Sequence, residues 1–450
     1  MASEPGGQRV AGAGGRVTRR QLLQGAVGAG VGGLVIGGVG GYLAGNAGSG
    51  AASTAAGGGS AEPILIGSAS PVTGPFAGDG QQMVRGQQLA IAEINAAGGV
   101  LGRPLKLQVL DTKAQEPDVM KNVFQKLVSQ NVAAIFSGFT TYTSVEYPIV
   151  AQARIPMFHV NTWHGNVDYV KEHQITNIFQ GDPSETWYGP GFVVLVSNLI
   201  ESGTWTPAKK SIFVVTSNDP YSLNISKTFQ AGMEKQGWTT DGFEQFTVPQ
   251  ADWTGVLVKI RSANPGIVFF SDYAAGDEAS FMKQFRQSPT NSLVYQQYAP
   301  SIPEYLDLAG DAADGVLWST VVGVLAGDDR AKQFAEAFQQ KFNRPPGFSN
   351  AGDQYDLVKL WAQAAAEAGD PYAFDKINGI VKGTIYRGVC GTYSFDLDPG
   401  GNTCMPYPDF TPDPSLGMPH LTFQIQNGQQ VLISPDPYTT GTFQLPAWLT

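Results

Sequence analysis

Residues Ile64 to Leu107 read ILIGSASPVTGPFAGDGQQMVRGQQLAIAEINAAGGVLGRPLKL, and their pattern indicates a strand, a loop, a helix and a second strand. Its first residues form a short apolar strand, and the glycines and prolines that follow break regular structure. Apolar residues at Met83, Ala90 and Ile94 then predict a helix from about Gly80, which a glycine pair ends before a second strand. A loop between the carboxyl end of a buried strand and a helix amino terminus is where open α/β sheets bind ligands.

Two segments of this stretch, SPVTGPFAGDG and AEINAAGGVLGRPL, closely resemble the start of type I periplasmic binding proteins. These proteins are the solute-binding subunits of transporters for branched-chain amino acids, amides and urea. The resemblance extends over nearly the whole chain from about Glu62 onward. It implies an α/β fold of two similar lobes, each with a central, mostly parallel sheet, joined by a three-segment hinge.

Length and charge narrow the functional classes. The chain has 450 residues, of which 42% are hydrophobic and 15% charged, and its formal net charge is −10. That length provides two or three domains with buried cores. The acidic balance argues against a nucleic-acid partner, which requires a basic surface.

The amino-terminal residues are predicted to be an export signal that is not part of the fold. Arg16–Gln24 (RVTRRQLLQ) looks like a twin-arginine motif, and the glycine-rich, uncharged run Gly25–Ala44 supplies its apolar region. The alternative is a membrane anchor, since the run is long enough to span a bilayer. We assign residues 1–47 to the signal and 48–61 to a small-residue linker. We expect a periplasmic or otherwise extracytoplasmic protein, membrane-retained if the signal is not cleaved.

After Glu62, strands and helices alternate with short turns, which is typical of α/β folds with parallel sheets. The similarity to the family places lobe 1 at residues 62–181 and 320–388. It places lobe 2 at residues 182–319 and 389–450. The three hinge crossings are then expected near Gly181, Ser319 and Gly388.

The polar loop Phe139-Thr140-Thr141-Tyr142-Thr143-Ser144 is the first candidate ligand site. Hydroxyls and free amides at a helix amino terminus can hold a carboxylate or an amide oxygen. The alternative is that Thr143 or Ser144 only caps the next helix. In the amino-acid receptors that the chain resembles, this loop binds the α-carboxylate of the ligand.

The next strand ends in Asn161-Thr162-Trp163, where the amino-acid receptors usually have Ser-x-Ala-Thr to hold the ammonium group. This departure favours an amide, a urea-like molecule or an aromatic ligand stacked on Trp163. The alternative for Trp163 is a core or hinge aromatic residue.

For lobe 2, the resemblance implies ligand contacts by Tyr221, Asp272 and Asp277. Tyr221 follows Ser217-Asn218-Asp219-Pro220, where family members place a tyrosine over the ligand. Asp272 and Asp277 fall where the amino-acid receptors place the acid that pairs with the ammonium group. The alternative for each acid is a helix cap or a solvated surface group.

The remaining reactive residues indicate no catalysis. Cys390 and Cys404 are close enough in sequence to form a disulfide in an exported protein, and the four histidines show no metal-ligand spacing. We find no recognisable nucleophile motif and expect no cofactor. The sequence predicts a monomeric solute-binding protein that delivers a small polar ligand, such as an amino acid, amide or urea-like molecule, to ABC permease subunits. A sensory receptor and, less favoured, an amidase are the alternatives.

Overall fold

The computed structural model describes residues 62–407 and 417–449. The predicted signal and linker, residues 1–61, lie outside the described residues. Of the helices in the described ranges, none is long and apolar enough to cross a membrane.

A first sheet of five parallel strands comes from the amino-terminal part of the fold. Its strands are β1 (Ile64–Ser70), β2 (Leu105–Asp111), β3 (Ile135–Ser137), β4 (Met157–His159) and β5 (Ile178–Gln180). Their order in the sheet is β2-β1-β3-β4-β5. All residues of β3, β4 and β5 are buried, as is typical of parallel strands covered on both faces.

Four helices connect these strands. They are α1 (Ala77–Ala96), α2 (Pro117–Ser129), α3 (Tyr147–Ala153) and α4 (His164–Glu172). The strand–helix–strand unit predicted from residues 64–107 is present, with the strand running on to Ser70 and the helix beginning at Ala77. Buried Met83, Leu89 and Ala90 give α1 the apolar face that the sequence spacing predicts.

The next part of the chain builds most of a second sheet and its helices. Its elements are α5 (Tyr188–Glu201), β6 (Ser211–Ser217), α6 (Pro220–Lys235), β7 (Thr239–Phe246), α7 (Thr254–Ala263), β8 (Ile267–Ser271), α8 (Ala275–Arg286), β9 (Leu293–Gln297), α9 (Pro303–Ala309) and β10 (Leu317–Thr320). The sequence analysis missed β7 and β9. Strand β7 is only half-buried and includes Asp241 and Glu244, and β9 ends in two glutamines, so neither has the apolar run of a core strand.

The carboxyl-terminal part adds helices and short strands. Its elements are α10 (Asp329–Phe342), α11 (Asn350–Ala368), α12 (Phe374–Gly383), β11 (Tyr386–Arg387), β12 (Thr392–Tyr393), β13 (Pro406–Tyr407), β14 (Met418–Pro419), β15 (Leu421–Gln426) and β16 (Gln429–Ser434). Strands β15 and β16 form a hairpin through Asn427-Gly428, and both residues have the positive φ that a type I′ turn requires.

The second sheet has seven strands in the order β16-β15-β10-β9-β8-β6-β7. Its pairs are parallel from β7 to β10, and β15 and β16 continue the sheet antiparallel. Two mostly parallel sheets with helices between their strands confirm the predicted fold class.

Helix α11 returns to the first sheet and packs closely on α1. A Cβ atom on Gly86 of α1 would lie 2.0 Å from the carbonyl oxygen of Ala351, so only glycine permits this approach. Gln354 of α11 accepts a hydrogen bond from Gln87 at 2.7 Å and donates one to the Ser137 carbonyl at 2.7 Å. The carboxyl end of β3 is thereby fixed against α11.

One predicted lobe boundary needs correction. The prediction assigned all residues after Gly388 to lobe 2, yet Thr403 pairs with Gln180 at the end of β5. Asn402 donates from Nδ2 to the carbonyl oxygens of Ile175 and Ile178, at 3.0 and 3.1 Å. The chain therefore stays on the first sheet at least as far as Thr403. Its glycine-rich sequence has no apolar periodicity from which this docking could be predicted.

The predicted disulfide is also absent. Cys390 and Cys404 are both free and buried. The Cys390 amide donates to Asp356 at 3.0 Å, whereas a hydrogen bond ties Cys404 to the backbone of Ser394. Each cysteine thus has its own packing site, and burial raises the pKa of both thiols.

Candidate functional site

A cavity of about 400 Å³ lies where the carboxyl ends of strands from both sheets meet. Residues that follow β1 to β5 contribute one part of its wall, and residues that follow β6, β8, β9 and β10 contribute the other. The lining residues are Phe76, Ala114, Gln115, Pro117, Phe139, Thr140, Thr141, Tyr142, Thr143, Val160, Asn161, Thr162, Asp182, Tyr188, Tyr221, Tyr273, Tyr298, Thr320, Val322, Ser349 and Asn350. This is the position at which open α/β sheets bind ligands.

Seven aromatic rings dominate the wall. They belong to Phe76, Phe139, Tyr142, Tyr188, Tyr221, Tyr273 and Tyr298. Phe76 lies 5.8 Å from Phe139 and 6.1 Å from Tyr273, between ring centroids, and Tyr188 lies 6.3 Å from Tyr221. Rings this close exclude water and leave their faces and hydroxyls as the main contacts for a ligand.

The predicted polar loop lines the cavity through Phe139, Thr140, Thr141 and Thr143. The hydrogen bonds of its threonines, however, go to residues of the same lobe. The amide and the hydroxyl of Thr141 both donate to the carboxyl of Glu146, each at 2.9 Å. The Thr143 hydroxyl donates to Thr141 Oγ1 at 3.2 Å. Thr140 Oγ1 donates to Asn166 Oδ1 at 3.1 Å. The hydroxyls of these three threonines and the Thr141 amide are therefore satisfied within the lobe.

Ser144 and Trp163 were predicted to contact the ligand, but they do not line the cavity. Ser144 occupies a turn with φ of 50°, and its carbonyl accepts a hydrogen bond from the amide of Tyr147. The Trp163 ring packs edge-on against Tyr142, with centroids 4.9 Å apart. Trp163 thus supports a lining residue instead of stacking on a ligand.

Asn161 and Thr162 line the cavity as predicted. The Asn161 side chain accepts from the amide of Trp163 at 2.9 Å and donates to the carbonyl of Thr140 at 3.3 Å. It therefore holds two loops together, and its polar atoms are already engaged.

Of the three residues predicted to bind the ligand from lobe 2, one lines the cavity and two do not. Tyr221 lines the cavity, and its hydroxyl accepts a hydrogen bond from Gln297 at 3.2 Å. Asp272 is fully buried outside the cavity, and neither carboxyl oxygen has a hydrogen-bond partner among the described residues. Burial raises the pKa of Asp272 to about 7. Asp277 accepts a hydrogen bond from the amide of Gln250 at 2.7 Å and is likewise not a lining residue.

Asp182 is the one carboxylic acid in the lining as far as the described residues form it, and the sequence analysis did not select it as a ligand contact. It follows β5, is 1% exposed, and its Oδ1 has no hydrogen-bond partner among the described residues. Burial, followed by the charge of Asp353, raises the pKa of Asp182 well above its ordinary value. Asp353 itself accepts a hydrogen bond from the Tyr393 hydroxyl at 2.9 Å.

Contacts between the two lobes close the cavity. Tyr142, which follows β3, donates from its hydroxyl to Asp219 Oδ1, which precedes α6, at 3.3 Å. Within lobe 1, Asn350 donates to Asp79 at 2.8 Å, and the Tyr298 hydroxyl of lobe 2 lies beside the same Asp79 carboxyl. Burial raises the pKa of Asp79 to about 6.

The cavity residues that sequence analysis did not select fall into two groups. Phe76 lies in the opening stretch and Tyr273 beside the selected Asp272, so proximity to a strand end was the available signal. Asp182, Tyr188 and Tyr298 reach the cavity only through the packing of the two lobes. Within the part of the chain that the structure describes, no group of three or more His, Cys, Asp or Glu residues is arranged to hold a metal ion.

The sequence model of the family described as periplasmic binding protein matches residues 63–407. The chain belongs to the periplasmic binding protein family. Leu/Ile/Val-binding protein homolog 3 of Brucella melitensis biotype 1 is 23% identical over 306 residues, which cover 68% of this chain and 80% of that protein.

Solved structures of the family show the same fold. A protein of Silicibacter pomeroyi assigned to branched-chain amino acid ABC transport superposes with a TM-score of 0.81 and is 34% identical, covering 86% of this chain and 100% of that one. The substrate binding protein LivJ of Streptococcus pneumoniae, solved in complex with isoleucine, has a TM-score of 0.67 and 21% identity. That match covers 83% of this chain and 100% of LivJ.

Proposed function

We propose that this chain is an extracytoplasmic solute-binding protein that captures a small organic molecule between its two lobes and delivers it to the permease subunits of an ABC transporter. The observation that carries the proposal is the cavity, because strand ends of both sheets supply its wall. Family membership supports the same role, since periplasmic binding proteins bind small molecules for ABC permeases. It also supports a location outside the cytoplasm.

Binding is proposed to proceed by lobe closure without chemical change. A ligand that contacts both walls has more contacts in the closed arrangement than in an open one, so it shifts the population toward closure. The Tyr142–Asp219 hydrogen bond and the Phe76–Tyr273 ring contact would break on opening. Within the described residues 62–407 and 417–449, the lining contains no histidine, cysteine or lysine that could act as a nucleophile or general base.

The size of the cavity suits a single small ligand. A volume of about 400 Å³ falls in the range of small-molecule sites. The names of the relatives point to Leu, Ile and Val, whereas the aromatic wall suits a flatter or more polar molecule as well. The amino-acid, amide and urea-like classes are therefore all candidates.

A thermal-shift screen tests the proposal with the full-length chain. Amino acids, amides, urea and small aromatic acids are added one by one, and a ligand of the folded state raises Tm with concentration. Val322→Phe places a ring inside the cavity and should abolish the shift. Val258→Phe, on the exposed face of α7, is the matched control and should retain it. A saturable shift that survives Val322→Phe would contradict binding in this cavity.

A further inference from the structure

The residues around the cavity favour a class of ligand that the relatives' names do not mention. We propose that the ligand is an organic cation without a carboxylate, an amine with an apolar body, whose charge is held by Asp182 against the surrounding tyrosine rings. This inference rests on the proposed solute-binding function and specifies the ligand of the same cavity.

The charges around the cavity favour a cation. Among the described residues of the lining, Asp182 is the one that is formally charged, and none is a lysine, arginine or histidine. The buried carboxyls of Glu146, Glu185 and Asp353 lie close behind the wall, because Glu146 bonds to the lining residue Thr141 and the other two act on the pKa of Asp182. The lining donor Gln115 Nε2 also has no hydrogen-bond partner among the described residues, but it carries no charge. A ligand with net negative charge would therefore enter this low-dielectric site without a cationic partner, at high cost.

The position expected to bind a ligand carboxylate is already occupied. Both donors of Thr141 are used by the Glu146 carboxyl, and the Thr143 hydroxyl is used by Thr141. Glu146 is fully buried and thus takes the place that an incoming α-carboxylate would need. A carboxylate there would face a second carboxyl group in place of free N–H and O–H groups.

Asp182 provides what a cation requires. Its carboxyl group is buried in the wall, and its Oδ1 has no hydrogen-bond partner among the described residues. Asp353 lies behind it, and two adjacent buried carboxyls resist ionising together. An ammonium group against the Asp182 carboxyl would donate a hydrogen bond to it and compensate the negative charge.

The aromatic rings supply the remainder of the site. Ring faces attract a cation within about 6 Å, and they also bury an apolar body. Tyr188 and Tyr221 stand with centroids 6.3 Å apart, and the Phe76 and Tyr273 centroids are 6.1 Å apart on another part of the wall. A site with one carboxyl group among several rings matches an ammonium head carrying a hydrocarbon or phenyl body.

Two matched ligand series test the inference by isothermal titration calorimetry on the full-length chain. The aromatic series is 2-phenylethylamine, phenylalanine, 3-phenylpropanamide and 3-phenylpropanoate. The aliphatic series is 3-methylbutylamine, leucine, 4-methylpentanamide and 4-methylpentanoate. We expect the amine of at least one series to bind about 10-fold or more tighter than its amino acid, because the added carboxylate meets no cationic partner among the described lining residues.

The other outcomes separate the inference from the proposed function. If an amino acid, an amide or an acid binds as tightly as its amine or tighter, the cation inference is overturned and solute binding stands. If no member of either series binds, the inference is also overturned, and the wider thermal-shift screen with Val322→Phe then decides whether the cavity binds any solute.

Variants of the protein test whether Asp182 contacts the charged group of the ligand. Asp182→Asn should weaken the amine about 30-fold or more and leave the neutral amide unchanged, because only the charged partner is lost. Asp272→Asn alters a buried carboxyl outside the cavity and should leave both affinities unchanged. Should Asp182→Asn not fold, Tyr273→Ala should weaken the amine about 5-fold through loss of a ring. Equal amine affinity in the wild type and in a folded Asp182→Asn would overturn the inference.

Discussion

Two polar regions line the same cavity, yet they differ in what they leave for a ligand. The loop at residues 139–144 has many hydroxyls, but those of Thr140, Thr141 and Thr143 donate to partners within its own lobe. At the end of β5 the carboxyl group of Asp182 lies in the lining, and its Oδ1 has no hydrogen-bond partner among the described residues. The number of polar groups is therefore a poor guide to binding, and the number of unsatisfied ones is a better guide.

The difference follows from which neighbours each region meets. Glu146 lies a few residues from Thr141 in the chain, so the loop closes its hydrogen bonds locally. Asp182 meets Asp353, a carboxyl group that cannot satisfy it when both are ionised. The loop at residues 139–144 therefore stabilises its own lobe, whereas Asp182 keeps an acceptor that a ligand can satisfy.

The largest expected effect is on stability, at the loop. Glu146→Ala removes the acceptor of two buried Thr141 donors, so the free energy of unfolding should fall by about 2–4 kcal/mol. Glu116→Ala, at an exposed carboxyl group without a capping bond before α2, should change it by less than about 0.5 kcal/mol. Urea denaturation measures both. If the Glu146→Ala protein is as stable as wild type, the hydrogen bonds between Thr141 and Glu146 do not stabilise the fold.

A pH-dependent effect of intermediate size is expected at Asp272. Its pKa is raised from 3.8 to about 7, so the folded state binds a proton more tightly than the unfolded state. The free energy of unfolding should therefore fall as pH rises from about 4 to about 7, by at most about 1.4 kcal/mol per pH unit from this group.

Asp272→Asn cannot ionise and should abolish that contribution. The variant should be more stable than wild type by about 2 kcal/mol at a pH above 7, with little difference near pH 4. Unfolding curves measured across this pH range check the sign. A variant that is equally destabilised at both ends would show that the Asp272 carboxylate has a stabilising partner.

The smallest expected effect is on closure. Tyr142→Phe removes the 3.3 Å hydrogen bond from the lobe-1 tyrosine to Asp219, which is worth about 0.5–1.5 kcal/mol. Ligand affinity should fall about 2- to 10-fold with little change in Tm of the unliganded protein. Tyr372→Phe, outside the cavity lining, is the matched control. Unchanged affinity in Tyr142→Phe would show that this bond does not contribute to closure.

The sequence predicted the fold class and much of the lobe-1 wall, because both depend on local patterns. Strand ends, glycine turns and helical spacing identify the loop at residues 139–144 without knowledge of packing. Asp182, Tyr298 and Asn350 come from distant parts of the chain, and only the packing of two sheets brings them to one cavity. Asp272 was predicted to contact the ligand, but it is a carboxyl group buried in the core. No sequence pattern distinguishes a buried acid from one that faces the cavity.

A crystal structure of the chain with the tightest ligand from the calorimetric series tests the contrast between the two regions most directly. We predict that the polar head of the ligand lies within hydrogen-bond distance of the Asp182 carboxyl group, with both Thr141–Glu146 hydrogen bonds intact. A ligand carboxylate bound to the Thr141 amide in place of Glu146, with Asp182 still unpartnered, would contradict this account.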